Sequence, residues 1–246
     1  MNNKNERFNP YGVELTVVVI SLHPPVAPAA IKIRALRALS LKEHHSVSNR
    51  ILKFFMTGVI LCGGASSRMG SDKGLLLRNG KHWVMHTAAL MKDCGLSYVV
   101  SVAGHNILDY QQVLPGATLI CDDPSLQVGG PLKGILSVNL AMPAEDLLVL
   151  AVDMQEMKPY FLQQIIDASK ENDAQAILFK HDDQVEPLCA WYRADGLHHV
   201  LQLVLQGLLQ RFSMHHVLSY LKTKIIPVGD DPAFLNFNTP EDLSQL

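Results

Sequence analysis

The sequence predicts a doubly wound α/β fold, with a mainly parallel sheet and helices on both faces. Three observations predict it. From Thr57 onward, short apolar runs of β-forming residues alternate with longer stretches of helical spacing, the pattern of repeated β-α-β units. The run "DLLVLAVD" (146–153) is almost unbroken in apolar residues, as expected of a strand covered on both faces. Loops rich in glycine and carboxylates follow several of the strand runs, and in such sheets ligands bind outside the carboxyl ends of the strands.

The elements follow in order. "TGVILC" is a short apolar strand. Residues 82–95 have helical spacing and stop at Gly95, suited to the C-cap. "SYVVSVAG" is a strand, "HNILDYQQVL" a helix stopped by Pro115, and "ATLICDD" a strand ending in two carboxylates. "GPLKGILSVNLAM" puts Pro131 at the first helical position and Leu132, Ile135, Leu136 and Leu140 on one face. After "DLLVLAVD" come a helix "PYFLQQIIDASKEN", strands "AQAILFK" and "LCAWYR", helices near 195–209 and 213–221, and a strand "KIIPV". The arrangement is Rossmann-like.

Length and composition set limits. A chain of 246 residues with 48% hydrophobic and 18% charged residues suits one large α/β domain, or one domain with an appendage. A net charge of −2 argues against nucleic-acid binding driven by bulk charge. Cys62, Cys94, Cys121 and Cys189 are scattered without C-x-x-C spacing, as in thiols kept reduced. The closest approach to a membrane span, "VELTVVVISLHPPVAPAAI", contains Glu14, His23 and three prolines and has no secretory cleavage pattern. A cytoplasmic location is expected.

Residues 1–56 differ in character from the rest and read as an N-terminal extension. "MNNKNERFNPYG" is polar, and "AAIKIRALRALSLKEHH" has helical spacing with basic residues. A helix packed loosely on the main domain, a membrane-surface helix and a natural start at Met56 are open readings. Residues 57–246 read as one domain, with a nucleotide half near 57–155 and an acceptor half near 156–246. A chain beginning at Met56 is expected to fold and turn over normally; its aggregation on expression would make the first 55 residues part of the domain.

Four loops carry the chemistry. In "CGGASSRMGSDKG", Gly63 and Gly64 let backbone N–H groups approach an anion, and Arg68 and Lys73 add positive charge. Together they make a polyphosphate cradle. It is not a Walker A loop, because Gly74 follows Lys73 where that motif has Ser or Thr. In "CDDPSLQVGGPLKG", Asp122 and Asp123 end a strand and could hold a ribose, a base edge or a metal, or merely shape a turn. In "LLVLAVDMQEM", Asp153 ends the most apolar strand, where a charge needs a partner such as Mg²⁺ bridging to phosphates. In "FLNFNTPEDL", Asn236 and Asn238 alternate on an expected strand, facing one side, before a helix capped by Thr239. The histidine pairs His44-His45, His198-His199 and His215-His216 are adjacent in sequence, so they do not chelate one ion on a helix, and no H-E-x-x-H pattern occurs.

The segments "LCGGASSRMGSDKGLL", "GGPLKGI", "LAVDM" and "NFNTPEDL", in this order and spacing, resemble the MobA-type nucleotidyltransferases, the molybdenum cofactor guanylyltransferases. The resemblance runs from about Thr57 to the C-terminus and does not cover residues 1–56. It implies the nucleotidyltransferase fold and an enzyme that joins the GMP moiety of GTP to the terminal phosphate of molybdopterin. The product is molybdopterin guanine dinucleotide; pyrophosphate leaves and Mg²⁺ assists. GTP and molybdopterin are the implied partners, with transient contacts to other molybdenum cofactor proteins and neither nucleic acid nor membrane.

Position by position, the resemblance puts Leu61, Cys62 and Gly63, with Gly64 beside them, at the guanine nucleotide. It puts Arg68 and Lys73 at the triphosphate and Asp153 at the metal. Asp123, eight residues before Pro131, falls on a nucleotide-contacting aspartate. Asn236 and Asn238, with Pro131, fall on the acceptor side. Three departures stand out. Ser101 or Val102 occupies the place of a family asparagine, Val152-Asp153-Met154-Gln155 stands where the family reads C-D-x-P, and Cys62 stands where alanine is common. The rivals are a molybdopterin cytidylyltransferase or other small-substrate nucleotidyltransferase, and a nucleotide-binding module without catalysis. The paired glycines of "CGG", in place of the A-A-G common in cytidylyl relatives, favour guanylyl transfer.

Overall fold

The computed structural model describes residues 56–62, 72–170, 173–181 and 183–237. Residues 1–55 therefore lie outside the described residues, as do Gly63, Gly64, Arg68, Asn238 and the helix start expected at Thr239.

The alternating pattern folds as expected. Strand β1 (Met56–Cys62) is followed by a short 3₁₀ turn (Lys73–Leu75), a hairpin of β2 (Leu77–Arg78) and β3 (Lys81–His82), and helix α1 (Trp83–Asp93). Then come β4 (Tyr98–Val102), α2 (Ile107–Val113), β5 (Thr118–Cys121), α3 (Pro131–Ala141), β6 (Asp146–Ala151) and α4 (Pro159–Ser169). The remainder is β7 (Ala176–His181), β8 (Gln184–Tyr192), α5 (Ala194–Leu205), α6 (Met214–Leu218), β9 (Thr223–Pro227) and a 3₁₀ turn (Pro232–Phe234).

Seven strands form one sheet in the order β5-β4-β1-β6-β8-β7-β9. All neighbours are parallel except β8, which runs antiparallel to β6 and β7. In β1, Leu61 is level with Ser101 of β4 and with Ala151 of β6. The carboxyl ends of these strands thus form one rim.

Strand alternation feeds two cores. Ile60, Val100, Leu148 and Leu150 face Trp83, Tyr110, Phe161 and Leu162 from α1, α2 and α4. Val59, Val99, Leu147 and Val149 face Leu132, Ile135, Leu197 and Val217 from α3, α5 and α6. Helices therefore cover both faces of the sheet. Among the described residues, no helix is long and apolar enough to cross a membrane.

Helix ends obey local chemistry. After α1, the Leu96 N–H bonds to the Met91 carbonyl and the Gly95 N–H to that of Lys92, which is a Schellman cap. Helix α3 starts at Pro131 behind Gly130, whose φ of 66° is a conformation that side chains disfavour.

Three expectations are corrected. Leu140 does not join the buried face of α3: it is 41% exposed, and Asn139 takes the interior place. Residues 235–237 are not a strand; they leave a 3₁₀ turn as irregular chain. Strand β8 begins at Gln184 rather than Leu188, because the segment pairs with β7 as a hairpin, with Asp183 at a φ of 63°. The β2–β3 hairpin was not foreseen. Its turn is Asn79-Gly80, with φ of 51° and 74°, a pairing typical of type I′ hairpins.

Candidate active site

The rim at the ends of β1, β4, β5 and β6 gathers most of the expected residues. Leu61 and Cys62 end β1 and are buried. Lys73 opens the 3₁₀ turn, and its Nζ lies 2.8 Å from Asp153 Oδ2 just beyond β6. The two side chains are 17% and 20% exposed. Each supplies the compensating charge the other needs at that depth.

Asp153 is also tied to the C-terminal segment, since the Phe237 N–H donates to its carbonyl at 3.2 Å. This bond brings the exposed Asn236 to the rim. A chain segment more than 80 residues beyond Asp153 is thereby joined to the strand end by a backbone hydrogen bond, which hydrophobic pattern does not reveal.

The turn after Asp153 lacks the family's proline and is built by other means. The Met154 N–H bonds to the Ala151 carbonyl at 3.2 Å, and Gln155 Nε2 donates to the Val152 carbonyl at 2.6 Å. Gln155 is buried, and its backbone carbonyl accepts from Arg78 Nη1 at 2.8 Å. Arg78 also pairs with Glu156. Gln155 thus closes the turn with a side-chain bond where a proline would have closed it by stiffness.

Asp123 lies after β5 and is half-buried. Its N–H donates to Ser137 Oγ, and its Oδ1 accepts from the Ser125 N–H and hydroxyl at 2.8 and 2.6 Å. In this state the carboxylate shapes the loop leading to Gly130 and Pro131. Burial pushes the neighbouring Asp122 carboxyl above the usual carboxylate range, and Lys133 opposes that shift.

Ser101 is placed differently from the expectation of a ligand contact. It is 2% exposed, and a Cβ built on Gly134 of α3 would lie 2.6 Å from its Oγ. Its side chain is taken up by the packing of α3 on the sheet. Val102 points into the opposite core and is fully buried.

Sequence reading missed Asp72, although it sits beside Lys73. Its carboxylate caps the 3₁₀ turn by accepting from the Gly74 N–H at 3.0 Å. It also accepts from the Tyr110 hydroxyl at 2.6 Å and from Asn106 Nδ2 at 2.7 Å. The signal available was Asp followed by a short turn, a common capping arrangement; Asn106 just before α2 and Tyr110 within it had no signal. Tyr110 is fully buried, and burial, with Cys62 and Asp72 beside it, pushes its phenol far up. Burial also raises the Cys62 thiol, an effect that its hydrogen bond with Tyr110 opposes.

Asp153 is a single hard oxygen donor, and among the described residues no cluster of three or more His, Cys, Asp or Glu could hold an ion by itself. That fits Mg²⁺, which is commonly held by one or two carboxylates with substrate phosphates and waters completing the shell.

A lysine just beyond β1 paired with an aspartate just beyond the neighbouring parallel strand β6, in a chain whose sequence puts paired glycines directly after β1, defines an α/β protein that handles phosphorylated nucleotides. More narrowly, the chain belongs to the MobA-like NTP transferase domain family, which matches residues 58–219. A probable molybdenum cofactor guanylyltransferase of Nostoc sp. is 30% identical over 196 residues, covering 77% of this chain and 89% of that protein. The molybdenum cofactor guanylyltransferase of Xanthomonas euvesicatoria is 32% identical over 194 residues, covering 77% and 93%. In three dimensions, molybdopterin-guanine dinucleotide biosynthesis protein A of Archaeoglobus fulgidus superposes with a TM-score of 0.63 at 24% identity, covering 77% of this chain and 96% of that one. A Mycobacterium tuberculosis protein solved as a complex with manganese shares the fold at 17% identity, with a TM-score of 0.55 and coverage of 78% and 97%.

Proposed function

We propose that this chain transfers the GMP moiety of GTP to molybdopterin, releasing pyrophosphate and forming molybdopterin guanine dinucleotide. The observation that carries the reading is the Lys73–Asp153 pair. It joins the loop after β1 to the end of β6, where a nucleotide on a parallel sheet would present its phosphates.

The chemistry needs positioning and charge neutralisation rather than a protein nucleophile. The attacking atom is an oxygen of the acceptor's terminal phosphate. It displaces pyrophosphate at the α-phosphorus of GTP, so one P–O bond forms as another breaks. Lys73, with Arg68, stabilises the charge gathering on the departing pyrophosphate. Leu61, Cys62, Gly63 and Gly64 are assigned to the guanine nucleotide, and Asp123, in the loop after β5, is assigned a contact with it. Asp153 would hold Mg²⁺, which when bound supplies Lewis-acid polarisation between nucleotide and acceptor phosphates. Asn236, Asn238 and Pro131 are assigned to the acceptor side. Cys62 acts through its backbone and small size; its raised thiol is no nucleophile. Residues 1–55 are read as an extension outside the catalytic domain, whose sheet takes in Met56, one residue earlier than the expected 57–246.

The test is a competition of GTP against CTP with molybdopterin as acceptor. Preferential consumption of GTP with release of pyrophosphate is expected. Preferential consumption of CTP would make the chain a cytidylyltransferase, and tight GTP binding without pyrophosphate release would leave it a nucleotide-binding module.

A further inference from the structure

We propose that Asp72, clamped by Tyr110 and Asn106, is the positioning residue for Lys73. The inference rests on the reading of Lys73 as the group that meets the triphosphate.

Three donors converge on the Asp72 carboxylate: the Gly74 N–H at 3.0 Å, the Tyr110 hydroxyl at 2.6 Å and Asn106 Nδ2 at 2.7 Å. An ionised carboxylate only accepts hydrogen bonds, so its chemistry matches an all-donor surround. The donors come from two places. Gly74 belongs to the 3₁₀ turn itself, whereas Asn106 stands just before α2 and Tyr110 within it. The turn that bears Lys73 is therefore fastened to the neighbouring strand's connection. Its backbone is closed as well, by the Leu75 N–H on the Asp72 carbonyl and the Leu76 N–H on the Lys73 carbonyl.

Gly74 makes the clamp possible. A Cβ on Gly74 would collide with the Tyr110 hydroxyl and lie 3.2 Å from Cys62 Sγ. The tripeptide Asp72-Lys73-Gly74 then has a division of labour: an anchor, an acting cation, and a gap for the anchor's partner. Tyr110 is rigid in this role, being fully buried, and its raised phenol keeps the donated proton at any ordinary pH. A lysine is a flexible cation on a long stem. Fixing its Cα and the first dihedrals is how the fold aims the ammonium across the rim at Asp153 and, with GTP bound, at the phosphates.

The decisive experiment is a double-mutant cycle on the full chain. Asp72→Asn and Tyr110→Phe are each made alone and with Lys73→Ala, and single-turnover rates of GMP transfer to molybdopterin are measured. Asp72→Asn is expected to lower the rate roughly ten- to a hundredfold and Tyr110→Phe roughly three- to tenfold, with the KM for GTP changed less than about threefold. Neither is expected to slow the Lys73→Ala enzyme further. Equal losses in both backgrounds would overturn the proposal, as would an unchanged rate in the single variants. A fully active Lys73→Ala enzyme would instead overturn the reading of Lys73, and the clamp's role with it. Should Asp72→Asn fail to fold, the Tyr110→Phe cycle decides alone, because that change removes one hydroxyl and keeps the buried ring.

Discussion

Lys73→Ala is expected to lower guanylyl transfer at least about a hundredfold, and Asp153→Ala by a similar factor, equivalent to about 2.7 kcal/mol of lost transition-state stabilisation each. The two losses arise differently, and magnesium separates them. In the proposed mechanism Lys73 stabilises charge that appears on pyrophosphate during transfer, so its removal should depress the rate at saturating Mg²⁺ and leave the Mg²⁺ midpoint in place. In the proposed mechanism Asp153 would hold the ion, so Asp153→Ala should move the midpoint to higher Mg²⁺. The 2.8 Å ion pair adds a stability effect, because each single change strands a half-buried charge. The double variant Lys73→Ala/Asp153→Ala should therefore be no less stable than either single one, although no more active. Steady-state pyrophosphate release over a Mg²⁺ titration, with a thermal melt of each variant, checks all three statements. Near-normal turnover of either single variant would remove its assigned role.

Much of this was legible because the relevant signals are local. The alternation of β1, β4, β5 and β6 with α1 to α4 shows as changing hydrophobic period, and the end of β6 at Asp153 shows as an apolar run stopped by a charge. Lys73 and Asp153 could be named separately, but not as a pair, since their contact depends on β1 and β6 being neighbours in the sheet. The failures are tertiary. Leu140 has the spacing of a core residue, yet the extensive contact of α3 with both sheet and α5 draws Asn139 inward instead. Asn236 and Asn238 alternate in the sequence as on a strand, but residues 235–237 are irregular chain, and the Phe237 N–H bonds to the Asp153 carbonyl. Ser101 was matched by position to a polar family residue, and the close approach of α3 at Gly134 buries it. Asp72 was read past because its meaning lies in Tyr110 and Asn106, which stand more than thirty residues away.

Trp83→Ala is expected to cost about 3–5 kcal/mol of stability, lowering Tm by roughly 6–20 °C for a domain of this size, and to impair catalysis in the molecules that remain folded. The side chain is fully buried in the core that also holds Cys62, Met154 and Tyr110. Its backbone ties together both halves of the site. The Trp83 N–H donates to the Leu76 carbonyl at 2.9 Å, closing the segment that carries Lys73. Its carbonyl accepts from Gln155 Nε2 at 3.5 Å, and Gln155 closes the turn after Asp153. A cavity left by the indole lies where these two turns must keep their separation. Trp191→Ala is the control, since Trp191 lies in the same core at 1% exposure but on β8, opposite Leu148 and away from both turns. Both variants should lose comparable stability, and only Trp83→Ala should show a lowered rate per folded molecule well below its Tm. Trp83→Phe should recover most of the loss, because the Trp83 indole nitrogen makes no hydrogen bond and what it supplies is volume. Equal rates for the two alanine variants at low temperature would show that Trp83 supports the fold alone and that the Lys73 and Asp153 turns are held by their own hydrogen bonds.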